Sequence, residues 1–332
     1  MVSVIITNFN DSQWIGKSIE SVIAQEGIDW ELLVVDDGST DCSNEIIQRY
    51  AATDDRIRSV FLKQNCGISA ARNIGISSAT GQYIALLDSD DMLVPGSLER
   101  RKVLFEGISK SLPDVNLLVG DAWIINEKDR VRGRYMNPPF HGCLIADTNS
   151  QITIPLQFIG NLERETEWQL SLVDGEAPGW CLPSTFFFKK NGVDKFDERF
   201  RVGEAGLFIE RLRSRGRVIY IGQPVVNYRI RMSSVSNSKA EQTLRGINAG
   251  SRSAQLGRLD DPITPDEMPR PNWSQLAAWK HGRNAKAAWC NDAPVRALLE
   301  YGFAFIARPK DVWLRGMRFF QGRLAFLRPS KK

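Results

Sequence analysis

The chain opens with VSVIIT, residues 2–7, an almost unbroken β-branched run that predicts a strand buried on both faces. Similar apolar runs recur at WELLVVDD (30–37), RIRSVFL (56–62) and YIALLD (83–88). Between them the apolar positions change to helical spacing. Trp14, Ile15, Ile19, Val22 and Ile23 predict a helix over 12–25, and further helices are expected from Asp41 to Tyr50 and over 67–79, ending before Gly81. Strands and helices alternate about every 25 to 30 residues, which predicts a mostly parallel central sheet flanked by helices.

The alternation loosens beyond residue 112. VNLLVGDAWII (115–125) reads as a strand, 133–175 as long loops with a short helix around 162–173, and STFFFKKNG (184–192) as a strand and turn. EAGLFIERLRSRG (204–216) reads as a helix closed by Gly216, and RVIYIGQPVVNYRI (217–230) as one or two short strands. Four prolines in LDDPITPDEMPRPN mark a linker near 260–272. Helices are expected beyond it at 273–290, 293–306 and 311–327, so the chain divides into an α/β domain over 1–235 and a helical C-terminal extension over 236–332.

Composition narrows the chemistry. The 332 residues carry 43 basic and 39 acidic side chains, a surplus too small to indicate a nucleic-acid partner. Five cysteines, an odd number without a close pair, favour a reducing compartment, and with only two histidines a zinc site is not expected. No targeting leader or transmembrane run is expected either, which points to the cytoplasm.

In parallel α/β sheets ligands bind beyond the carboxyl ends of the strands. The polar groups fall there: TNFN after the first strand, Asp36 and Asp37 after the second, and Asp88, Asp90 and Asp91 after the fourth. Taken alone, Asp36–Asp37 reads equally well as a solvated turn with helix-capping residues, and DSDD has the alternative of a calcium-like surface loop or a simple helix cap.

Taken in order, VSVIITNFN, SIESVIAQ, ELLVVDDGSTD, NCGISAARNIGISSATGQYIALLDSDDML, FDERF and YRIRMSSVS resemble the family 2 glycosyltransferases. These are inverting enzymes of the GT-A fold that use nucleotide-sugars. The resemblance covers residues 1 to about 235, and the last 90 or so match no recognised pattern. It implies that Thr7 and Phe9 lie against the nucleotide base, that Asp37 accepts a hydrogen bond from it, and that Asp36 orients this loop. It also implies that Arg72 approaches the diphosphate, and that Asp90 and Asp91, with Asp88 just upstream, form the metal and nucleotide-sugar motif. A divalent cation such as Mg2+ or Mn2+, held by oxygen ligands, would neutralise the charge of a diphosphate leaving group. The implied partners are a nucleotide-diphospho-sugar donor and a glycan or glycolipid acceptor, in polysaccharide or glycolipid biosynthesis.

Two departures from the family pattern stand out. Relatives usually carry Glu-Asp after FDERF, with the Asp as general base, whereas residues 204–205 here are Glu-Ala. Either Glu204 reaches the acceptor instead, or the register is shifted by one, or activity is weak or lost and the protein is a silent nucleotide-sugar binder. Glu204 also reads as a helix N-terminal charge facing the dipole. Secondly, Arg231 stands where relatives often have a histidine near the metal. An arginine cannot ligate a metal but can bind phosphate oxygens. Arg229 beside it is either a diphosphate ligand or a surface residue.

Asp121, Trp123, His141, Trp180 and Ser184 are acceptor-side candidates, although each taken singly reads more readily as structural. From Ile306 to Lys332 there are eight basic residues and one acidic, with Trp313, Met317, Phe320, Leu324 and Leu327 at spacings of three and four. That pattern fits a basic amphipathic helix on the inner face of an anionic membrane, or a helix packed on the catalytic domain.

Overall fold

The opening run forms β1 (Val2–Asn8), with all seven residues buried, as both-face burial requires. A computed structural model describes residues 1–135, 170–172, 182–191, 195–231 and 240–307. Through them the sheet continues as β2 (Trp30–Asp36), β3 (Ile57–Phe61), β4 (Tyr83–Asp88), β5 (Met92–Leu93), β6 (Val115–Ile125), β7 (Val131–Arg134), β8 (Leu170–Leu172), β9 (Phe186–Lys189) and β10 (Arg217–Arg229). The order is β3-β2-β1-β4-β9-β6-β10-β5, with β7 on β6 and β8 on β10. β1, β2, β3 and β4 pair in parallel, as do β6 and β10, while β9 runs antiparallel between β4 and β6.

The connecting helices are α1 (Ile15–Ile23), α2 (Ser43–Ala51), α3 (Ile68–Ser78), α4 (Ser97–Ser111) and α5 (Ala205–Ser214). Strand alternation divides the core between the two faces. Val4, Ile6 and Phe187 pack with Ile15, Ile19, Leu98 and Phe105 on one face. Ile5, Phe186 and Phe188 pack with Ile76, Phe208 and Leu212 on the other. The extension supplies α6 (Ala240–Gln255), α7 (Trp273–Cys290) and α8 (Pro294–Ala307). Ala249 of α6 packs on Phe200 and Leu207, and Ala287 and Cys290 of α7 pack on Ile124 and Ile230.

Several local expectations change. Residues 170–172, expected at the end of a helix, form β8 against β10, and the rest of that expected helix lies outside the described residues. The strand expected from 184 begins at Phe186, after a 3-10 turn at Pro183–Thr185. The stretch 217–229 is a single strand whose register shifts around Pro224. Helices α4 and α6 were not anticipated. The expected helix at 311–327 lies outside the described residues.

Candidate active site

Parallel register brings the polar strand ends into one row. Asn8 pairs with Asp36 on one side, and Thr7 pairs with Asp88 on the other. The Thr7 hydroxyl is buried without a hydrogen-bond partner among the described residues, whereas Phe9 is exposed in the turn that follows. Asp36 is fully buried. Its carboxylate accepts from the Asn8 side-chain amide at 2.7 Å and from the Ser39 backbone N–H at 2.8 Å, which fixes the two strand-end loops against each other. Asp37 accepts from the backbone N–H groups of Cys66 (2.6 Å) and Gly67 (2.9 Å), tying its loop to the start of α3. Burial raises the Asp37 carboxyl above the usual range, and those two amides oppose the rise.

Arg72, on the buried face of α3, joins two carboxylates from different elements. Its guanidinium donates to Asp88 at the end of β4 (2.8 Å) and to Glu204 at the N-cap of α5. Arg72 and Glu204 are both buried, while the Asp88 side chain is 29% exposed. Burial works against the guanidinium charge, but Asp88 and Glu204 hold it above its ordinary value. Glu204 therefore sits beside the DSDD segment, one guanidinium away from Asp88. Next to it, Ala205 carries no polar group, and a Cβ added at Gly206 would meet nothing within 4 Å, so the start of α5 is open.

The DSDD segment is held just as tightly. Asp91 is buried, and its oxygens accept from the Ser184 hydroxyl (2.6 Å) and the Arg229 N–H (2.9 Å). Burial, with Asp90 and Asp88 nearby, raises its carboxyl well above the usual range. Asp90 forms an ion pair with Arg231 Nε at 2.8 Å. Burial pushes its carboxyl up to about 6, with Arg231 opposing and Asp11 and Asp88 adding. Arg231 also grips Asp11 with both terminal nitrogens, and the Ser89 hydroxyl donates to Asp11 at 2.7 Å.

Arg229 turns away from this row. Its guanidinium donates to the carbonyls of Asp90 and Asn126 (both 2.9 Å), pairs with Asp129 at 2.6 Å and lies 4.1 Å from the Trp14 ring centre. Those contacts clamp the DSDD backbone from behind and do not address a ligand. On the acceptor side, Ser184 joins the site through Asp91 and through the Asp88 N–H, which donates to its oxygen at 3.0 Å. Asp121 is buried against Arg134, and Arg134 lies over Trp123. His141 and Trp180 lie outside the described residues. Asp11 was not singled out in the sequence, where its one signal is its place just after TNFN.

Whether Mg2+ or Mn2+ fits depends on which carboxylate oxygens are open. Asp91 has each oxygen in a protein hydrogen bond, and Asp90 faces a guanidinium. Among the described residues, no three His, Cys, Asp or Glu side chains converge as a metal-ligand group. As arranged, the residues do not fit a divalent cation unless Arg231 is displaced.

Known proteins resemble this chain to different extents. The putative teichuronic acid biosynthesis glycosyltransferase TuaG of Bacillus subtilis is 41% identical over 101 residues, which are 30% of this chain and 40% of that protein. Glycosyltransferase GlyA of Streptococcus pneumoniae is 27% identical over 248 residues, which are 74% of this chain and 33% of GlyA. The chain thus spans well under half the length of these curated relatives. A mannosyltransferase from Pyrobaculum calidifontis, solved in complex with GDP-Man and Mn2+, has a TM-score of 0.55 at 15% identity over 99% of this chain and 88% of its own, a likeness of fold. Residues 3–141 match the model of glycosyl transferase family 2. That stretch holds every strand-end carboxylate from Asp36 to Asp91, and over it the chain is similar to glycosyl transferase family 2.

Proposed function

We propose that the chain transfers a sugar from a nucleotide-diphospho-sugar to an acceptor hydroxyl with inversion, in the synthesis of a polysaccharide or glycolipid. The observation that carries this reading is the row of polar groups from β1, β2 and β4 at the carboxyl edge of the sheet, within a family 2 segment. The polymer is supported by TuaG, which is named for teichuronic acid biosynthesis. Thr7, Phe9 and Asp37 line the base side, where the buried Thr7 hydroxyl has no hydrogen-bond partner among the described residues. Arg72 faces the diphosphate. In the reaction the acceptor oxygen bonds to the anomeric carbon as the bond from that carbon to the diphosphate oxygen breaks. The diphosphate keeps the electron pair, and the acceptor proton passes to a carboxylate. The reading assigns that proton to Glu204, beside the open start of α5. The Mg2+ or Mn2+ expected at Asp90 and Asp91 is no part of it, because Arg231 and the Asp91 hydrogen bonds stand in its place.

A second reading, a silent nucleotide-sugar binder, is favoured by one observation. Glu204 is tied to Arg72, and the neighbouring position is Ala205. A carboxylate already engaged by a guanidinium has less lone-pair capacity left for an acceptor proton. A panel of nucleotide-sugars tested by thermal shift, followed by product analysis with glycan and glycolipid acceptors, separates the readings. Transfer is expected with at least one donor, and Glu204→Gln should remove most turnover while donor binding persists. Binding without turnover supports the silent binder, and full turnover by Glu204→Gln removes Glu204 as the base.

The reading includes a peripheral seat on the inner face of an anionic membrane, supported by the basic surplus of 306–332 and by α8. No helix among the described residues is long and apolar enough to cross a membrane.

A further inference from the structure

The side chain in the middle of the DSDD site is an arginine, and its placement has a consequence for metal use. Arg231 is 11% exposed, between Asp11 (10%) and Asp90 (17%). Its Nη1 donates to one Asp11 oxygen and its Nη2 to the other at 3.2 Å, while Nε meets Asp90 at 2.8 Å. A planar guanidinium with both terminal nitrogens on the Asp11 carboxylate is fixed in direction, and the charge of its Nε side lies 2.8 Å from Asp90 without a hydrogen bond. Asp11 is oriented for this grip by Ser89, and the Asp90 carbonyl is held by Arg229. Arg231 thus occupies the space between the two carboxylates that a bridging cation would need. Removing it would leave two largely buried like charges facing each other, a strongly unfavourable arrangement.

We propose that Arg231 is the resident counter-cation of the Asp11–Asp90 pair, so that it excludes a divalent metal and makes nucleoside-diphosphate binding independent of one. The second half rests on the donor reading above, and the first does not. A guanidinium has five N–H donors. Two are engaged by Asp11, the Nε–H lies buried beside Asp90 with no hydrogen bond among the described residues, and the remaining two, one on each terminal nitrogen, are of the type that binds phosphate oxygens.

The test has two arms. In the first, Mn2+ uptake by the nucleotide-free protein is followed by electron paramagnetic resonance. Wild type should take up none at this site, whereas Arg231→Gln, which vacates the space and keeps both carboxylates, should take up one ion and gain thermal stability as Mn2+ is added. Uptake by wild type, or none by a folded Arg231→Gln, overturns the proposal. If Arg231→Gln does not fold, Arg231→Lys retains the charge without the fork and should still exclude Mn2+, and uptake by Arg231→Lys counts against the proposal. In the second arm, UDP and GDP are titrated calorimetrically in EDTA and in MnCl2. Equal affinities within about twofold are expected for wild type, and tenfold tighter binding with Mn2+, about 1.4 kcal/mol, overturns the claim of metal independence. If neither nucleotide binds in either buffer, the donor reading and the claim of metal independence fall together, and the Mn2+ arm still decides whether Arg231 holds the metal position.

Discussion

At the scale of single residues, the site and the scaffold both depend on buried carboxylates with several donors. Glu31 shows this away from any ligand. One of its oxygens accepts from Ser3 Oγ (2.5 Å), from the Thr80 N–H (2.5 Å) and hydroxyl (2.8 Å) and from the Gly81 N–H (3.2 Å), and Arg58 donates to the other at 2.8 Å. This single side chain joins β1, β2, β3 and the turn before β4. Burial alone would raise its carboxyl, but the Ser3 and Thr80 hydrogen bonds and Arg58 hold it below the ordinary 4.5. A lowered folded-state value means the contribution to stability is whole above pH 4.5 and is lost as pH falls through that lower value. Glu31→Gln should thus destabilise by about 2 kcal/mol at pH 7, and the gap in urea midpoint should narrow below pH 4.5. A gap that stays constant to pH 3 would show that the charge is not what these donors stabilise. Such partnerships are where sequence reasoning stopped. Asp36, Asp37, Asp88, Asp90 and Asp91 were legible as a set because parallel strands align their carboxyl ends. The turning of Arg229 to the back of the site, and the grip of Arg231 on Asp11, depend on which way side chains point from a strand end and the segment after it, and spacing along the chain carries no record of that.

At the scale of elements, legibility followed the clarity of the hydrophobic period. β4, β6 and α7 begin and end where the pattern placed them, because continuous apolar runs and clear breakers flank them. Helix α4 was missed although Leu98, Leu104, Phe105 and Ile108 form a buried stripe, since fully buried Arg101 interrupts it on the same face. Helix α6 was missed for a different reason. It buries Thr243, Ala249 and Ser253, small residues that allow close approach: a Cβ on Gly246 would lie 2.2 Å from the Val202 carbonyl oxygen. Glycine has the same use in α3, which carries Arg72 into the site. A Cβ at Gly75 would stand 2.4 Å from Ile5 Cγ2 of β1, so Gly75→Ala must push helix and strand apart. Overpacking of this kind costs about 1–3 kcal/mol, and because Arg72 rides on the same helix, donor affinity should fall with stability. Gly107→Ala in α4 is the matched control, since its Cβ would meet nothing within 4 Å. There the substitution should be stabilising by up to about 1 kcal/mol. Chemical denaturation and donor titration of the pair check both, and an unchanged stability in Gly75→Ala would mean that α3 does not pack this closely on β1.

At the scale of the whole molecule, the feature that a lone soluble fold does not account for is the outer face of α8. Helix packing normally turns large apolar residues inward. Here the inward positions are the small Ala297 and Ala304, 4% and 0% exposed, while Val295, Leu298, Leu299 and Phe303 are 72%, 57%, 60% and 54% exposed. Val295, Leu298 and Leu299 fall at i, i+3 and i+4 and form a stripe along one side of the helix, while Glu300 and the half-exposed Phe303 contact His281 of α7. The sequence that follows carries eight basic residues and one acidic from Ile306 onward, so a positive segment comes directly after the apolar stripe along the chain. That pairing matches an anionic bilayer, which takes apolar side chains below its headgroups and attracts lysine and arginine at roughly 1 kcal/mol each near the surface. A second copy of the chain would bury the same stripe but would bring the two positive segments together. The protein should therefore co-sediment with phosphatidylserine-containing vesicles, bind phosphatidylcholine vesicles much more weakly, and be released by high salt only in part, since the apolar share of the binding is not screened. The double substitution Leu298→Ser, Leu299→Ser should remove most of that binding and leave nucleotide affinity unchanged. If the wild type ignores both vesicles and instead dimerises in a way the double substitution abolishes, the stripe is a contact between copies, and the membrane seat falls while the donor site is untouched.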